Sequence, residues 1–467
     1  MKKGIMYFLI LLLCLKLGYA YWQYLQMPLD GDISSLVMAK RGYQAIIEDP
    51  LALQVLFHDA HYPNPNRFFA HALCMTYFRN VPFLLQKVMN PIESLYTASA
   101  LAKGLIHLLM LSTLVLYVTK SFTFKKNYLL AAVLLIPLFQ VTGYNAFFCI
   151  IDPSISYNFF YALPNALFCI FFLFFYVKIL QNQEIHFSLT QHFCLILLAV
   201  PMILSGPLPA AISLLAFPLL WLHRLRTQGL TQISFSLWAY TFAITALSLY
   251  SLFIGRNNAE AFVYELSLLQ RYQNVPQGLF YLLFTKIGYP LFLISIGINI
   301  WLLRPYAQRT EIQRLFSFFK GFGVFTFLYI VLLPIGGYRA YRPDIIRGDV
   351  MMPIFLGLMI MWGTTAYYLL HELSAKKRQY YLVFCSIFCA ILFLADEPVK
   401  PEQSNLCEKE ALYQLSNAQE KEVFIEKDCK ILAWVRDFNA IDAGFNADFF
   451  YFLGITKERK EYCQERK

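Results

Sequence analysis

Two carboxylates separated by a single glycine stand in Met27-Pro28-Leu29-Asp30-Gly31-Asp32-Ile33-Ser34-Ser35, just beyond the first apolar run of the chain. Glycine permits a tight turn that could aim Asp30 and Asp32 into one pocket. There they could take a proton from a hydroxyl nucleophile, or hold a divalent cation such as Mg or Mn through oxygen ligands. The plainer reading is a turn and helix cap, because Asp32 precedes Ile33-Ser34-Ser35-Leu36-Val37, a good helix start. Ile33, Leu36 and Val37 on one side, with Lys40 and Arg41 on the other, describe a short amphipathic helix lying on a bilayer.

A second group is Tyr338-Arg339-Ala340-Tyr341-Arg342-Pro343-Asp344-Ile345-Ile346-Arg347-Gly348-Asp349. Guanidinium groups bind phosphate in bidentate geometry, so Arg339, Arg342 and Arg347, with Tyr341, form a candidate lipid-phosphate site. Arg347 stands closest to the apolar run that follows. Interfacial anchoring by Tyr and Arg, with pairing to Asp344 and Asp349, explains the same residues without a ligand. Arg256 and Arg271 are weaker versions of the same feature. Lys103 and His107 lie four apart inside an apolar run and so share one helix face. Ionisable residues at such depth face an interior cavity, where they could line a phosphate or proton path with Glu93 above them, or pair with a neighbouring helix. His58-Asp59-Ala60-His61, with His71 further on, has metal-ligand residue types but no helical ligand spacing, and reads better as a solvated loop. Tyr62-Pro63-Asn64-Pro65-Asn66-Arg67 is a rigid, turn-rich connector that could shape an acceptor groove. No phosphate-cradling Gly-Lys-Ser/Thr loop and no dinucleotide fingerprint occur, which argues against direct use of ATP or a nicotinamide.

The elements that must position these residues are membrane spans. Of 467 residues 58% are apolar and 15% charged, against ~25% charged in soluble domains, and the mean hydropathy is +0.50. Residues 397–467 carry 25 of the 68 charged side chains, which separates a water-facing tail from a membrane domain at 1–396. The net charge of +10 resides in short clusters between apolar runs, a mark of topology and not of nucleic-acid binding. Runs near 4–20, 95–118, 129–149, 159–178, 189–204, 207–222, 235–254, 279–301, 317–335, 350–370 and 380–396 are candidate spans. The fifth and sixth, separated by Ser205-Gly206-Pro207, could instead form one broken helix or a re-entrant pair. The first has features of a signal peptide but is read as a retained span.

With eleven spans, the clusters Lys2-Lys3, Lys120 with Lys125-Lys126, Lys178, Arg224 with Arg226, Arg304 through Lys320, and Lys376-Lys377-Arg378 all fall on the side of the N terminus. The positive-inside bias makes that side cytoplasmic. A first outer loop at about 21–94 and the tail then lie outside. The tail is near the lower limit for an independent core, so it is expected to dock on the outer loops. Cys407 and Cys429 are its plausible disulfide and Cys463 its odd thiol.

Asp30 and Asp32 shortly after span one, surface helices beyond them, and Arg347 before a Pro353-containing span together resemble the C-type (GT-C) superfamily of polytopic membrane glycosyltransferases. No longer signature of a named subfamily is present, the Trp-Trp-Asp type included. The apolar runs and the charge distribution predict an all-α polytopic fold of about 11 transmembrane helices, with a first outer loop of amphipathic helices and a small C-terminal outer domain, and this architecture is GT-C-like. The resemblance implies transfer of a sugar from a polyprenyl-phosphate-linked donor to a glycan, lipid or protein acceptor on the outer face. Asp30 or Asp32 would be the general base, and Arg347, with Arg342, would stabilise the departing phosphate. The expected partners are that donor, the acceptor and membrane lipids, with no nucleic acid. No cofactor beyond a divalent metal is expected, and the expected location is a bacterial inner membrane. Rival readings are a glycan polymerase or ligase with a lipid-diphosphate donor, a transporter or lipid flippase, and a non-catalytic scaffold.

Overall fold

The computed structural model describes residues 3–40, 42–120, 127–181, 183–229, 233–260, 266–336, 345–426, 429–434 and 440–464. The chain begins with α1 (Lys3–Tyr24). Four short or medium helices follow, α2 (Ile33–Val37), α3 (Tyr43–Glu48), α4 (Leu53–His58) and α5 (Phe68–Leu85). Next come α6 (Pro91–Thr119), α7 (Tyr128–Leu135), α8 (Asn145–Phe148), α9 (Ile155–Tyr157), α10 (Leu163–Leu180), α11 (Leu189–Ile203), α12 (Pro207–Gln228) and α13 (Phe235–Gly255). The membrane domain ends with α14 (Leu268–Phe284), α15 (Gly288–Leu303), α16 (Thr310–Leu332), α17 (Gly348–Glu372) and α18 (Ala375–Ala395). The tail holds α19 (Leu406–Asn417), β1 (Glu422–Phe424), α20 (Ala440–Phe452) and β2 (Glu461–Cys463).

The protein is thus an all-α integral membrane protein, with one two-stranded parallel ribbon, in the tail, among the described residues. Among the described residues, eight helices are long and apolar enough to cross a bilayer. Their starts follow from local chemistry. Asn90 caps α6, its side-chain oxygen accepting from the Glu93 amide at 2.9 Å with Pro91 at the first helical position. Ser188 with Gln191 forms a capping box on α11. The central helix is α17, which is buried along most of its length. Trp362 from α17 is fully buried and donates from its indole to the Leu134 carbonyl at 3.1 Å.

Three expected spans take a different form. The run at 129–149 is helical from Tyr128 to Leu138, about 16 Å of rise, then breaks and resumes only as the single turn α8. Asp396, at the end of α18, accepts the Val141 and Thr142 amides at 2.9 and 2.8 Å and pairs with buried Lys16 of α1. Backbone that leaves the helix inside a membrane domain must be satisfied this way. The run at 279–301 belongs to a bent pair, Leu268–Phe284 and Gly288–Tyr306, which meet at 79°. The fifth and sixth runs are two separate helices, α11 and α12, of which α11 has only 15 residues.

The loop at about 21–94 is helical as expected, but α2 presents no exposed apolar face. All five of its residues are buried, and Ile33, Leu36 and Val37 join an apolar cluster shared with α5 and with Phe449, Phe450 and Leu453 of the tail. Helix α5 itself was not anticipated. The tail docks on this loop. The Asn405 side-chain amide donates to the Leu25 carbonyl at 2.8 Å, Lys409 pairs with Glu93 at 2.7 Å, and Gln86 donates to the Leu453 carbonyl at 2.9 Å. A disulfide joins Cys407 to Cys429, Cα to Cα 6.0 Å, and Cys463 is free.

Candidate active site

Asp30 is 4% exposed and anchors the site. Its Oδ2 accepts from the Ser154 hydroxyl at 2.8 Å and the Ser156 amide at 2.9 Å, and its Oδ1 accepts from the Asp32 amide at 3.1 Å. Ser156 lies in the first turn of the span Ile155–Leu180, so the carboxylate also sits at the positive end of that helix. Asp32 turns elsewhere. It occupies the N-cap position of α2 without a side-chain cap bond, and its Oδ1 accepts the Trp434 indole at 3.0 Å. Gly31 serves close approach and not the turn: a Cβ there would come within 2.9 Å of the Trp434 backbone nitrogen. The two carboxylates therefore face different partners and do not fit a shared divalent cation. Among the described residues no group of three or more His, Cys, Asp or Glu side chains converges as a metal site.

Ser154 and Ser156 belong to the segment that follows the broken span, and that segment brings in a carboxylate the sequence reading passed over. Asp152 accepts the Ser154 amide on Oδ1 at 2.8 Å and the Cys149 thiol on Oδ2 at 3.2 Å. Asn158, fully buried, donates to the Asp152 and Ser154 carbonyls, both at 2.7 Å. Asn145 donates to the Gln140 and Ile151 carbonyls at 2.6 and 2.8 Å. Two asparagines thus supply the donors that a helix would have supplied. Burial pushes the Asp152 carboxyl up to about 6, with Asp349 raising it further, against the Ser154 amide, the Cys149 thiol and Lys103, which lower it.

Lys103 of α6 is fully buried. It donates from Nζ to the Pro153 carbonyl and faces Asp30, Asp152 and Glu408. One cation therefore stands beneath three carboxylates contributed by the first loop, the broken-span segment and the tail. His107 does not join it. Its ring stacks on Phe139 at 4.4 Å, and its Nδ1 is 3.1 Å from the Tyr24 hydroxyl. Glu93 is bound to Lys409 of the tail.

A cavity of about 650 Å³ opens beside this cluster. Met27 and Pro28 line it from the first loop, Asp152 and Tyr157 from the broken-span segment, and Arg347 and Asp349 from the start of α17. Arg347 donates from Nε to Asp349 Oδ1 at 2.6 Å. Gly348 between them has the Cys149 Cβ 2.6 Å from where its own Cβ would be, so α17 is pressed against the turn that carries Asp152. The cavity has a hydrogen-bond acceptor of raised proton affinity and a guanidinium on its walls.

Arg339, Tyr341 and Arg342 lie outside the described residues. Arg256 stacks on Phe253 at 4.0 Å, Arg271 donates to the Leu266 carbonyl at 3.1 Å, and neither lines the cavity. Asp59 and His61 are largely exposed, as a solvated loop would be. His71 is buried apart from them, with Nδ1 2.9 Å from the Arg67 carbonyl and its ring 4.8 Å from that of Phe160. The connector Tyr62 to Arg67 locks onto the end of α13, where Asn66 donates to the Ser251 carbonyl at 3.1 Å and the Asn64 amide to Asn258 at 2.8 Å. No known protein family, curated protein or solved structure matches this chain.

Proposed function

We propose that the protein is a membrane glycosyltransferase that moves a sugar from a polyprenyl-phosphate donor to a hydroxyl acceptor at the outer face of a bacterial inner membrane. In this reading the N terminus is cytoplasmic and the tail lies outside, the orientation that the basic clusters favour. The observation that carries it is the shared cavity of Asp152 and Arg347 at the end of the domain where first loop and tail meet. An acceptor oxygen attacks the anomeric carbon, the bond from that carbon to the phosphate oxygen breaks, and the acceptor proton passes to a carboxylate. The polyprenyl phosphate leaves with the bonding electron pair.

Asp152 suits proton acceptance best, because it opens on the cavity and its affinity for a proton is raised to about 6. Asp30, the base expected from sequence, already holds three donors, and in this reading it fixes the turn that aims Asp152. Arg347 meets the phosphate as its charge develops. A phosphate is already a good leaving group, so positioning supplies much of the rate.

The test is the purified full chain in lipid nanodiscs with a panel of polyprenyl-phosphate sugars, reading release of polyprenyl phosphate in the presence of envelope acceptors. Wild type should turn over one donor class, Asp152→Asn should lose ~10²-fold or more, and Arg347→Ala should lose ~10²-fold. Equal turnover by Asp152→Asn and wild type would remove Asp152 from the reaction.

A further inference from the structure

A second cavity, about 560 Å³, lies within the membrane domain between α10, α12, α16 and α17. Its middle is walled by rings and aliphatic groups such as Phe172, Phe318 and Leu356, while one end carries Arg224 and Arg314. No carboxylate is among its lining residues. Arg224 is only 4% exposed. It donates to the Gln183 carbonyl at 3.2 Å, and Arg314 donates to the Leu180 carbonyl at 3.3 Å. Those acceptors are three residues apart, at the last residue of α10 and just beyond it, so one short stretch of chain draws both guanidiniums to the same corner.

The corner is remote from the candidate active site. Arg309, at the start of α16, pairs with Glu372 at the end of α17, and α17 is about 37 Å long at ~1.5 Å per residue, with Gly348 of the first cavity at its other end. A phosphate at Arg224 and Arg314 is therefore not the phosphate that Arg347 would meet. Along α16 the apolar part of the groove runs from Ser317 to Phe325, about 12 Å of rise. That is near the depth of one leaflet, half of a hydrocarbon core of ~30 Å.

We propose that this groove is a specific site for a glycerophospholipid from the leaflet at the basic end. Its anionic phosphate headgroup would sit between Arg224 and Arg314, and one acyl chain would lie along α16. Two guanidiniums below an apolar shaft one leaflet deep complement a phosphate carried on a chain of that length. The longer chain of a polyprenyl carrier would overrun it. The site does not depend on the transferase reading.

Native mass spectrometry of the purified full chain, titrated with phosphatidylglycerol, phosphatidylcholine of the same chains, or polyprenyl phosphate, tests this. Wild type should retain one phosphatidylglycerol at least ~10-fold more tightly than phosphatidylcholine. Arg314→Gln should weaken that binding about tenfold. Gly321→Leu gives a second variant that leaves the charges in place: Gly321 lines the groove and a Cβ there meets nothing within 4 Å, so the larger side chain fills the shaft without striking the fold. It too should weaken phosphatidylglycerol binding tenfold or more, with the lipid-free melting temperature unchanged. Equal binding of the two phospholipids, wild-type binding by Gly321→Leu, or displacement of phosphatidylglycerol by equimolar polyprenyl phosphate would each overturn the proposal.

Discussion

Glu408 predicts a pH dependence of tail docking that can be worked from the structure. The residue is 2% exposed, with Oε2 accepting the Leu29 amide at 3.0 Å and Oε1 the Leu432 amide at 2.8 Å. It thereby ties α19 to the residue before Asp30. Burial pushes its carboxyl from an ordinary 4.5 up to about 7, the amides of Leu29 and Leu432 opposing. The folded protein holds the proton more tightly than the unfolded chain does. Stability is therefore fully present below 4.5 and is lost as pH climbs through about 7. At ~1.4 kcal/mol per pH unit, the loss between pH 5 and 8 is about 3 kcal/mol. Asp152, raised to about 6, adds a loss of the same sign, so the comparison must be with Glu408→Gln, which cannot ionise. Thermal unfolding in detergent, followed by protease release of the tail, should show wild type weakening across pH 5 to 8 and Glu408→Gln weakening by much less. Parallel profiles for the two proteins would refute the reasoning.

Other expectations follow from named contacts. Asp30→Ala strands the Ser154 hydroxyl and Ser156 amide and removes a counter-charge from Lys103; it should cost about 2–4 kcal/mol in thermal or denaturant unfolding, with Asp30→Asn milder. Gly143 has φ +48°, and a Cβ there would run into the Ala395 carbonyl oxygen and come within 2.6 Å of Gln140 Oε1; Gly143→Ala should destabilise by about 2 kcal/mol or more, read as a fall in melting temperature. Cys407→Ser with Cys429→Ser opens a link across 22 residues; it should weaken the tail by about 3 kcal/mol, seen as faster proteolysis of the tail while the spans stay intact.

The membrane class, the helical first loop, the docking tail and its disulfide were legible because each depends on composition or on spacing along the chain. The apolar runs were legible as runs, but not the break after Leu138, which follows from Asp396 reaching back to the Val141 and Thr142 amides from more than 250 residues away. Asp30 was legible as a site residue, yet its partners Ser154 and Ser156 and the neighbouring Asp152 were not. The only local signal was Asp152-Pro153-Ser154 set between two apolar runs. A lone carboxylate beside a proline reads as an ordinary loop until the fold shows it half-buried on a cavity wall, within electrostatic reach of Lys103. Asp32 stands at the N-cap position of α2 as its spacing suggests, but its carboxylate accepts the Trp434 indole of the tail and makes no cap bond to α2. Lys103 and His107 share a helix face as spaced, but α1 and Phe139 capture His107 while the loops capture Lys103.

The most direct test of the transferase reading is mass spectrometry of lipid-linked sugars and envelope glycans. Cells lacking the protein would be compared with cells carrying wild type, Asp152→Asn, Asp30→Asn or Arg347→Ala at matched membrane levels. One glycan should lose a sugar in the deletion, its polyprenyl-phosphate donor should accumulate, and Asp152→Asn should reproduce the deletion despite normal abundance. Unchanged glycans in the deletion, or full restoration by Asp152→Asn and Arg347→Ala, would contradict it.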